Sequence, residues 1–323
     1  MPEISEDYKK LYHYTNLDGL LGILQNKNLW ATQYKFLKDY SELVLMKDKL
    51  IEYLFPRMIE KFRKLIKQGN DFQKAIDQKG GLDQFVRDKT KITVDEAYRA
   101  IGEDFYIVSF CGEDKDSYVN SNGRLSQWRG YGVGGGIALV FDPYKLKEIL
   151  KIEIDKYSYE FLSFNSVIYS DDEMKFKREL SPKLDNFAEY TVQYIVFSKQ
   201  EPPDDTKVFS SFTECISRYK HRGFKEENEV RIVTLPDFHN EEYQRLPKEK
   251  GITLKPEKER KFRTKNEKLI PYIELFNSTD IDLPIERIIV GPHKEKESRA
   301  SVLRMMLRNT KTEITISDIP YID

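Results

Sequence analysis

The chain has 323 residues, of which 39% are hydrophobic and 33% are charged, and its formal net charge is -1. This length and apolar content are sufficient for a large core, and a near-neutral charge argues against a globally basic surface that would steer the chain onto nucleic acid. The polar first residues and the absence of a long apolar run predict neither a secretory segment nor a membrane partner. The two cysteines, Cys111 and Cys215, are typical of reduced thiols, so we expect a cytoplasmic protein.

The first predicted element is a short strand, "LYHYT", followed by a helix and a second strand, "LWATQ". Strand alternation places Leu11, His13 and Thr15 on one face. Tyr12 and Tyr14 then lie on the other face. An imidazole near the end of a first core strand is more often structural than functional, so its role depends on the rest of the chain.

The remaining elements mix helices and strands without a regular alternation, which predicts an α+β fold. Residues 41–104 have apolar positions at helical spacing and are predicted to be a helical insertion. Further helices are predicted near 143–151, 172–198 and 207–220, and in "SRASVLRMML". Strands are predicted in "FYIVSFC", at 137–141, in "NEVRIVTL", in two stretches of "TLKPEKERKFRTKNEKLIPYIEL", in "IERIIVGP" and in "TEITIS".

The segment "FKEENEVRIV" carries two carboxylates and a guanidinium at alternate positions. Strand alternation places Glu227, Glu229 and Arg231 on one face. This pattern is typical of a solvated face with a cross-paired arginine. It is also suited to catalysis, because the two carboxylates can act separately on a developing cation and on a nucleophile, while Arg231 keeps one of them ionised.

The segment "LSQWRGYGVGGG" places Trp128 and Tyr131 beside a predicted glycine-rich turn. These aromatics could stack on a planar ring or form the edge of a core. The glycines precede a strand and no Gly-Lys-Ser/Thr follows, so the turn is not a phosphate-binding loop. The four histidines lack the spacing of a metal site. We expect the basic runs at 61–67 and "KPEKERKFRTKNEK" to be solvated helix faces or loops.

Four segments together resemble the landmarks of a bacterial family catalogued as domain of unknown function 2971. They are "LYHYTNLDGLLGILQNKNLWATQ", "SFCGEDKDSYVNSNGRLSQWRGYGVGGGIALVFD", "FKEENEVRIV" and "LPIERIIVGP". The first segment also resembles the opening strand and helix of ADP-ribosyltransferases of the histidine-tyrosine-glutamate type. The chain has no serine-threonine-serine strand, so the arginine type of that superfamily is a poor fit.

This resemblance implies one ADP-ribosyltransferase-like domain over residues 1–323, with a split β-sheet core and the helical insertion at about 41–104. It implies NAD as substrate, no metal, and an unknown protein or nucleic-acid acceptor. The implied catalytic residues are Glu229, Glu227 and His13, with Glu229 steadying the ribosyl cation and Glu227 orienting the acceptor. The expected NAD-binding residues are His13, Tyr14, Thr15, Trp30, Trp128, Tyr131 and Arg231.

The expected activity is therefore ADP-ribosyl transfer or NAD hydrolysis, for which His13, Tyr131 and Glu229 should line one cleft. A non-catalytic nucleotide- or nucleic-acid-binding module on the same scaffold is the main alternative. A third hypothesis is group transfer on RNA, because the opening strand also resembles that of RNA 2′-phosphotransferases. The basic residues near the motifs for such a reaction are Arg129, Arg231 and His221. A toxin, a defence effector and a housekeeping enzyme all fit these expectations.

Overall fold

The structure is a computed structural model that describes residues 4–37, 41–67, 73–101, 104–132, 134–197, 206–237, 254–265, 267–277 and 281–320. Its strands are Leu11–Thr15 (β1), Leu29–Gln33 (β2), Tyr106–Gly112 (β3), Ile137–Phe141 (β4), Tyr159–Ser166 (β5), Ile168–Tyr169 (β6), Tyr219–Lys220 (β7), Glu229–Pro236 (β8), Lys261–Lys265 (β9), Lys268–Leu275 (β10), Ile285–Val290 (β11) and Glu313–Ile316 (β12).

The α-helices are Ile4–Asp7 (α1), Leu17–Asn26 (α2), Ser41–Lys67 (α3), Gln73–Gln78 (α4), Leu82–Ile101 (α5), Ser117–Asn122 (α6), Leu125–Tyr131 (α7), Pro143–Lys156 (α8), Glu173–Glu179 (α9), Ser181–Phe197 (α10), Thr206–Arg218 (α11) and Lys296–Met306 (α12). Short 3₁₀ helices span Tyr34–Phe36 and Arg222–Glu227. The expected α+β class is confirmed, because helices and a largely antiparallel sheet are both present in the described chain.

The chain divides into two compact units. The first contains Met1–Gln33, Tyr106–Val167 and Gly223–Asp323, and the second contains Tyr34–Phe105 and Ile168–Arg222. The expected helical insertion at 41–104 falls within the second unit. That unit also takes in a second stretch of chain, which the sequence did not assign to the insertion.

The first unit is built on a ten-stranded sheet. Its strands follow the order β12-β11-β4-β1-β3-β2-β10-β9, while β8 pairs with the opposite edge of β3 and β5 pairs with β8. All of these pairs are antiparallel except β11 with β12. Asn16 caps the N-terminus of α2 by accepting a hydrogen bond from the backbone of Gly19, as its position directly after β1 suggests.

The sheet opens at the middle of β3. Strand β1 pairs with the end of β3 at Cys111 and Gly112, and β2 pairs with its beginning at Tyr106 and Ile107. Both strands lie on the edge of β3 opposite β8, because β8 pairs with Tyr106 through Cys111 on the other side. Residues 108–110 therefore have no strand partner on the β1/β2 side. We call this gap the sheet opening.

The two faces of the sheet have separate apolar clusters. Face A carries Leu11, Phe110 and Val230, which pack with residues of α2, α8 and α12 in the main core. Face B carries Tyr12 and Cys111, which pack with Trp128 of α7 and with side chains from β4 and β11. The alternation predicted for β1 is confirmed, since Leu11 belongs to one cluster and Tyr12 to the other.

A buried ionic network joins α8 to the segment before β9. Glu153 lies fully buried, and one of its carboxylate oxygens is 2.6 Å from the ammonium of Lys258. The Tyr159 hydroxyl donates to the same oxygen, and the backbone N–H of Phe276 donates to the other. The expectation that the whole basic run from Lys255 is solvated is therefore wrong, because Lys258 pairs with a buried carboxylate.

The second unit is mainly helical, with one pair of parallel strands, β6 and β7. Helix α3 buries Met46, Leu50, Leu54, Met58 and Phe62, which recur at the spacing that predicted this helix.

The second unit also buries a cluster of three charged side chains. The guanidinium of Arg218 lies between the carboxylates of Glu179 and Glu214. A buried cation in this unit is thus held by carboxylates, as is usual in protein interiors.

Candidate functional site

His13 lies in the sheet opening. Its Nδ1 is 2.9 Å from the backbone carbonyl oxygen of Ser109, which has no strand partner on this side of β3. A carbonyl can only accept, so Nδ1 carries the proton and Nε2 of the neutral ring is an acceptor. Burial lowers the pKa of His13 most, and the nearby Arg263 lowers it further, whereas the bond to Ser109 acts in the opposite direction. The imidazole is therefore neutral at physiological pH.

The hydrogen bond to the Ser109 carbonyl also determines where the imidazole lies relative to the plane of the sheet. Backbone carbonyls of a strand point sideways in the plane of the sheet, towards the neighbouring strand. Nδ1 of the imidazole therefore lies near the plane of the sheet, while the ring centroid is 5.6 Å from that of Phe110 on face A. Strand alternation alone would direct the His13 side chain to face A.

The wall on the β2 side of the opening is formed by Trp30 and Arg263. If the pairing of Thr32 with Ile107 continued, Trp30 would lie opposite Ser109 on face B. The guanidinium carbon of Arg263 is 5.0 Å from the centroid of the Trp30 ring and 5.8 Å from that of Tyr272. One guanidinium nitrogen donates to Thr32 Oγ1 at 3.0 Å. This wall therefore combines two neighbouring aromatic rings, whose centroids are 4.7 Å apart, with a cation.

Glu229 begins β8 and is held by Arg231. The guanidinium Nε and Nη2 of Arg231 donate to the two carboxylate oxygens of Glu229 at 2.7 and 2.9 Å. Both side chains are buried, with 6% and 7% of their surface exposed. A bidentate guanidinium favours the ionised form of a carboxylate, and here it occupies both oxygens of Glu229.

The structure does not place His13 and Glu229 on one face of the sheet. Cys111 of β3 is paired with Tyr12 of β1 on one edge and with Glu229 of β8 on the other. Paired residues share a face, so Glu229 lies on face B with Tyr12. The strands of the two residues are separated by two strand spacings, about 10 Å in all. By alternation the two side chains lie on different faces of the sheet, so a ligand that contacts both would have to extend through the opening.

Glu227 does not belong to the strand. It is the last residue of the 3₁₀ helix, and Asn228, which follows, has a φ of 45°. The Asn228 side chain accepts from the Tyr8 hydroxyl and donates to the carbonyl of Glu113, which holds this left-handed turn. The predicted face of Glu227, Glu229 and Arg231 is wrong at its first member, because alternation begins only at Glu229.

Tyr14 and Trp128 pack in the apolar cluster on face B. The Tyr14 hydroxyl accepts from the backbone N–H of Arg124 at 2.7 Å, and burial raises its pKa. The Trp128 indole is buried and donates to the carbonyl of Asn122 at 3.0 Å. The two rings meet edge to face at 4.8 Å. These contacts fix the aromatic pair as part of the core rather than as a binding surface.

Tyr131 is the last residue of helix α7, which the sequence analysis did not predict. Its side chain is 42% exposed. Thr15 ends β1 half-buried, and its hydroxyl lies so close to Gly19 that a side chain there would collide with it. The structure therefore brings Thr15 near the start of α2, whereas Tyr131 stands at the surface.

A cavity of about 310 Å³ lies in the second unit. Tyr53, Arg57, Phe176 and Tyr219 are among the residues that line it, and none of the predicted site residues does. Across the described chain, no group of three or more His, Cys, Asp and Glu side chains is arranged to hold a metal. Among the described helices, none has both the length and the apolar composition that crossing a membrane requires.

One comparison bears on the family. Residues 127–232 match the family model described as "Protein of unknown function (DUF2971)". The match supports the expected family and runs from α7 to β8, so it includes Trp128, Tyr131, Glu229 and Arg231. His13 lies before it. No curated protein and no solved structure matched the chain.

Two residues at the opening were missed from the sequence. Arg263 lies within the basic run that was expected to be solvated, and nothing in that run marks it as the residue that stacks on Trp30. Ser109 lies inside a strand that reads as buried throughout. Its role depends on the loss of a strand partner, which is a property of long-range pairing and leaves no local sequence signal.

Proposed function

We propose that the chain binds NAD at the sheet opening and breaks the bond between nicotinamide and ribose, passing ADP-ribose to a protein or nucleic-acid acceptor or to water. The observation that carries this proposal is the position of His13 inside the opening, fixed by the Ser109 carbonyl. The resemblance to ADP-ribosyltransferases implied a split sheet and a ribose-binding histidine at the end of the first strand, and the position of His13 is compatible with that expectation.

His13 would bind a ribose. Its neutral ring presents Nε2 as an acceptor, and the described residues provide no hydrogen-bond partner for that atom. A ribose hydroxyl can donate to it without any change of protonation. The acceptor is already oriented by the Nδ1 bond, so little ordering is needed when the sugar binds.

Glu229 would stabilise the transition state. As the C–N bond breaks, its electron pair leaves with neutral nicotinamide and positive charge develops on the ribose, as in glycoside cleavage. An ionised carboxylate near that charge lowers the barrier. The acceptor then bonds to the ribose carbon and loses its proton. For this role Glu229 must serve a ligand that extends through the opening from His13 to face B.

Trp30 is the better surface for the nicotinamide ring. It is half-buried at the opening, whereas Trp128 is enclosed by Tyr14 and Asn122. The proposal therefore moves the stacking role from Tyr131 and Trp128 to Trp30.

A specific observation favours the second function, a binding module without catalysis. Both oxygens of Glu229 accept hydrogen bonds from Arg231, and Glu229 faces the side of the sheet opposite to His13 by alternation. Nucleotide binding at the opening needs only His13 and the β2 wall. Group transfer on RNA is less well supported, because Arg231 is already paired with a carboxylate.

Release of nicotinamide from NAD by the purified protein tests the proposal. Glu229→Gln alone would leave Arg231 buried without its partner, so the informative variant is Glu229→Gln with Arg231→Met. The control is Glu226→Gln, an exposed position in the preceding 3₁₀ helix. We expect release by the wild type and the control, and a loss of at least 100-fold in the double variant.

Three outcomes separate the two functions. Full activity in the double variant means that Glu229 has no catalytic role. Calorimetric binding of NAD by a wild type that releases no nicotinamide favours the binding module. Neither binding nor release by the wild type contradicts both.

A further inference from the structure

Arg263 is half-buried, and it differs from the buried cations Arg231 and Lys258 of the first unit. The guanidinium of Arg231 is paired with Glu229, and the ammonium of Lys258 is paired with Glu153. For Arg263, no carboxylate partner exists among the described residues. Its contacts are two aromatic rings and the hydroxyl of Thr32.

Two buried N–H donors at this position also lack acceptors within the described chain. They are Nε of Arg263 and Nε1 of Trp30. Both groups can donate and neither can accept. A buried donor without an acceptor is unfavourable, and such groups in native proteins call for an explanation.

The electrostatics at the opening also favour an anion beside Arg263. Burial lowers the pKa of Arg263, and Arg263 in turn lowers the pKa of His13. The first effect reflects removal of the guanidinium from water, and the second reflects repulsion between the guanidinium and a protonated imidazole. An anion bound beside Arg263 would reverse both.

We propose that Arg263, Thr32 and Trp30 form a subsite for a phosphate group on the β2 wall of the opening, and that the pyrophosphate of a dinucleotide occupies it. The identification of the ligand as a dinucleotide rests on the proposed function, whereas the anion site stands on the geometry. A phosphate has several acceptor oxygens and matches the donor fork of a guanidinium. The hydroxyl of Thr32, which accepts from Arg263, can donate its own proton to a phosphate oxygen.

The two aromatic rings beside position 263 favour an arginine over a lysine at this position. The guanidinium carbon lies over the rings of Trp30 and Tyr272, and these cation–π contacts restrict the orientation of the Arg263 side chain. Lysine has the charge but lacks the planar fork, so it cannot stack and donate in the same way. We therefore assign Arg263 to ligand binding and not to the chemical step.

Titration with inorganic pyrophosphate, followed by calorimetry and by tryptophan fluorescence, tests this subsite. The chain has two tryptophans, so Trp128→Phe isolates the emission of Trp30. Arg263→Gln removes the cation without leaving a buried carboxylate unpaired, so we expect it to fold. Arg308→Gln removes an equal charge from an exposed position and is the matched control.

We expect pyrophosphate to bind the wild type and to change the fluorescence of Trp30. Arg263→Gln should weaken binding at least tenfold, Arg263→Lys should lie between, and Arg308→Gln should bind within twofold of the wild type. Equal binding to Arg263→Gln and wild type, or no binding to the wild type, overturns the proposal. Arg263-dependent binding in a protein that does not cleave NAD would uphold this subsite and refute the proposed cleavage.

Discussion

The imidazole of His13 takes the place of a strand beside Ser109. Its Nδ1 lies 2.9 Å from the Ser109 carbonyl oxygen, at the position where β1 and β2 separate from the same edge of β3. The bond satisfies a backbone acceptor that the open sheet would otherwise leave unpaired. It also selects the ring tautomer, so one structural contact determines what the other nitrogen can bind.

The first prediction concerns pH. Because the pKa of His13 is lowered in the folded chain, the unfolded chain binds a proton near pH 6.5 that the folded chain does not. The contribution of His13 to stability is therefore complete above about pH 6.5 and is lost as the pH falls from there towards the lowered pKa. Urea unfolding at a series of pH values measures this slope.

The matched variant is His13→Asn, whose amide can keep the hydrogen bond to Ser109 without titrating. In this variant the unfolding free energy should depend less on pH below about pH 6.5, because the contribution of His13 is removed. An identical slope in the variant and the wild type would mean that His13 is protonated normally in the folded state.

The second prediction concerns the Glu229–Arg231 pair. Glu229→Gln should lower the free energy of unfolding by about 3–5 kcal/mol, because a buried guanidinium loses its counter-charge. Replacing both residues, by Glu229→Gln with Arg231→Met, should recover much of this loss, since no buried charge remains. Urea unfolding of the two variants gives both values.

Glu226→Gln, at an exposed position, should change stability by no more than about 0.5 kcal/mol. If Glu229→Gln were as stable as this control, the ion pair would have no structural role and its geometry would need another explanation.

The third prediction concerns the buried network of α8. Glu153→Gln leaves the buried Lys258 without a carboxylate and should cost about 3–5 kcal/mol of unfolding free energy. Glu148→Gln lies on the same helix, where its exposed carboxylate pairs with Lys151, and should cost less than about 1 kcal/mol. Thermal and urea unfolding measure the difference, and similar losses in both variants would refute a special role for the network.

Local patterns in the sequence predicted the regular elements well. The alternation in β1 and the apolar spacing of α3 each determined which side chains are buried. Helix α7 was missed because Gly130 and the glycines after Tyr131 favour a turn, whereas burial of Trp128 stabilises a short helix. The strand face at Glu227 was misassigned because Asn228 adopts a left-handed conformation that alternation cannot reveal.

The site itself could be predicted only in part. His13 and Trp30 were identified from the sequence, and both border the opening. The opening arises because two strands share one edge of β3, which is a long-range pairing with no local signal. For the same reason Arg263 could not be connected to Trp30, since β9 reaches β2 only through β10.

The affinity of NAD for the wild type and for His13→Asn, measured by calorimetry, tests the central claim most directly. The asparagine keeps the donor to Ser109 and removes the acceptor at Nε2, so the fold should remain while the ribose contact is lost. We predict binding to the wild type and an affinity at least tenfold lower in the variant, or about 1.4 kcal/mol. Equal affinities, or no binding of NAD to the wild type, would contradict a dinucleotide site at the sheet opening.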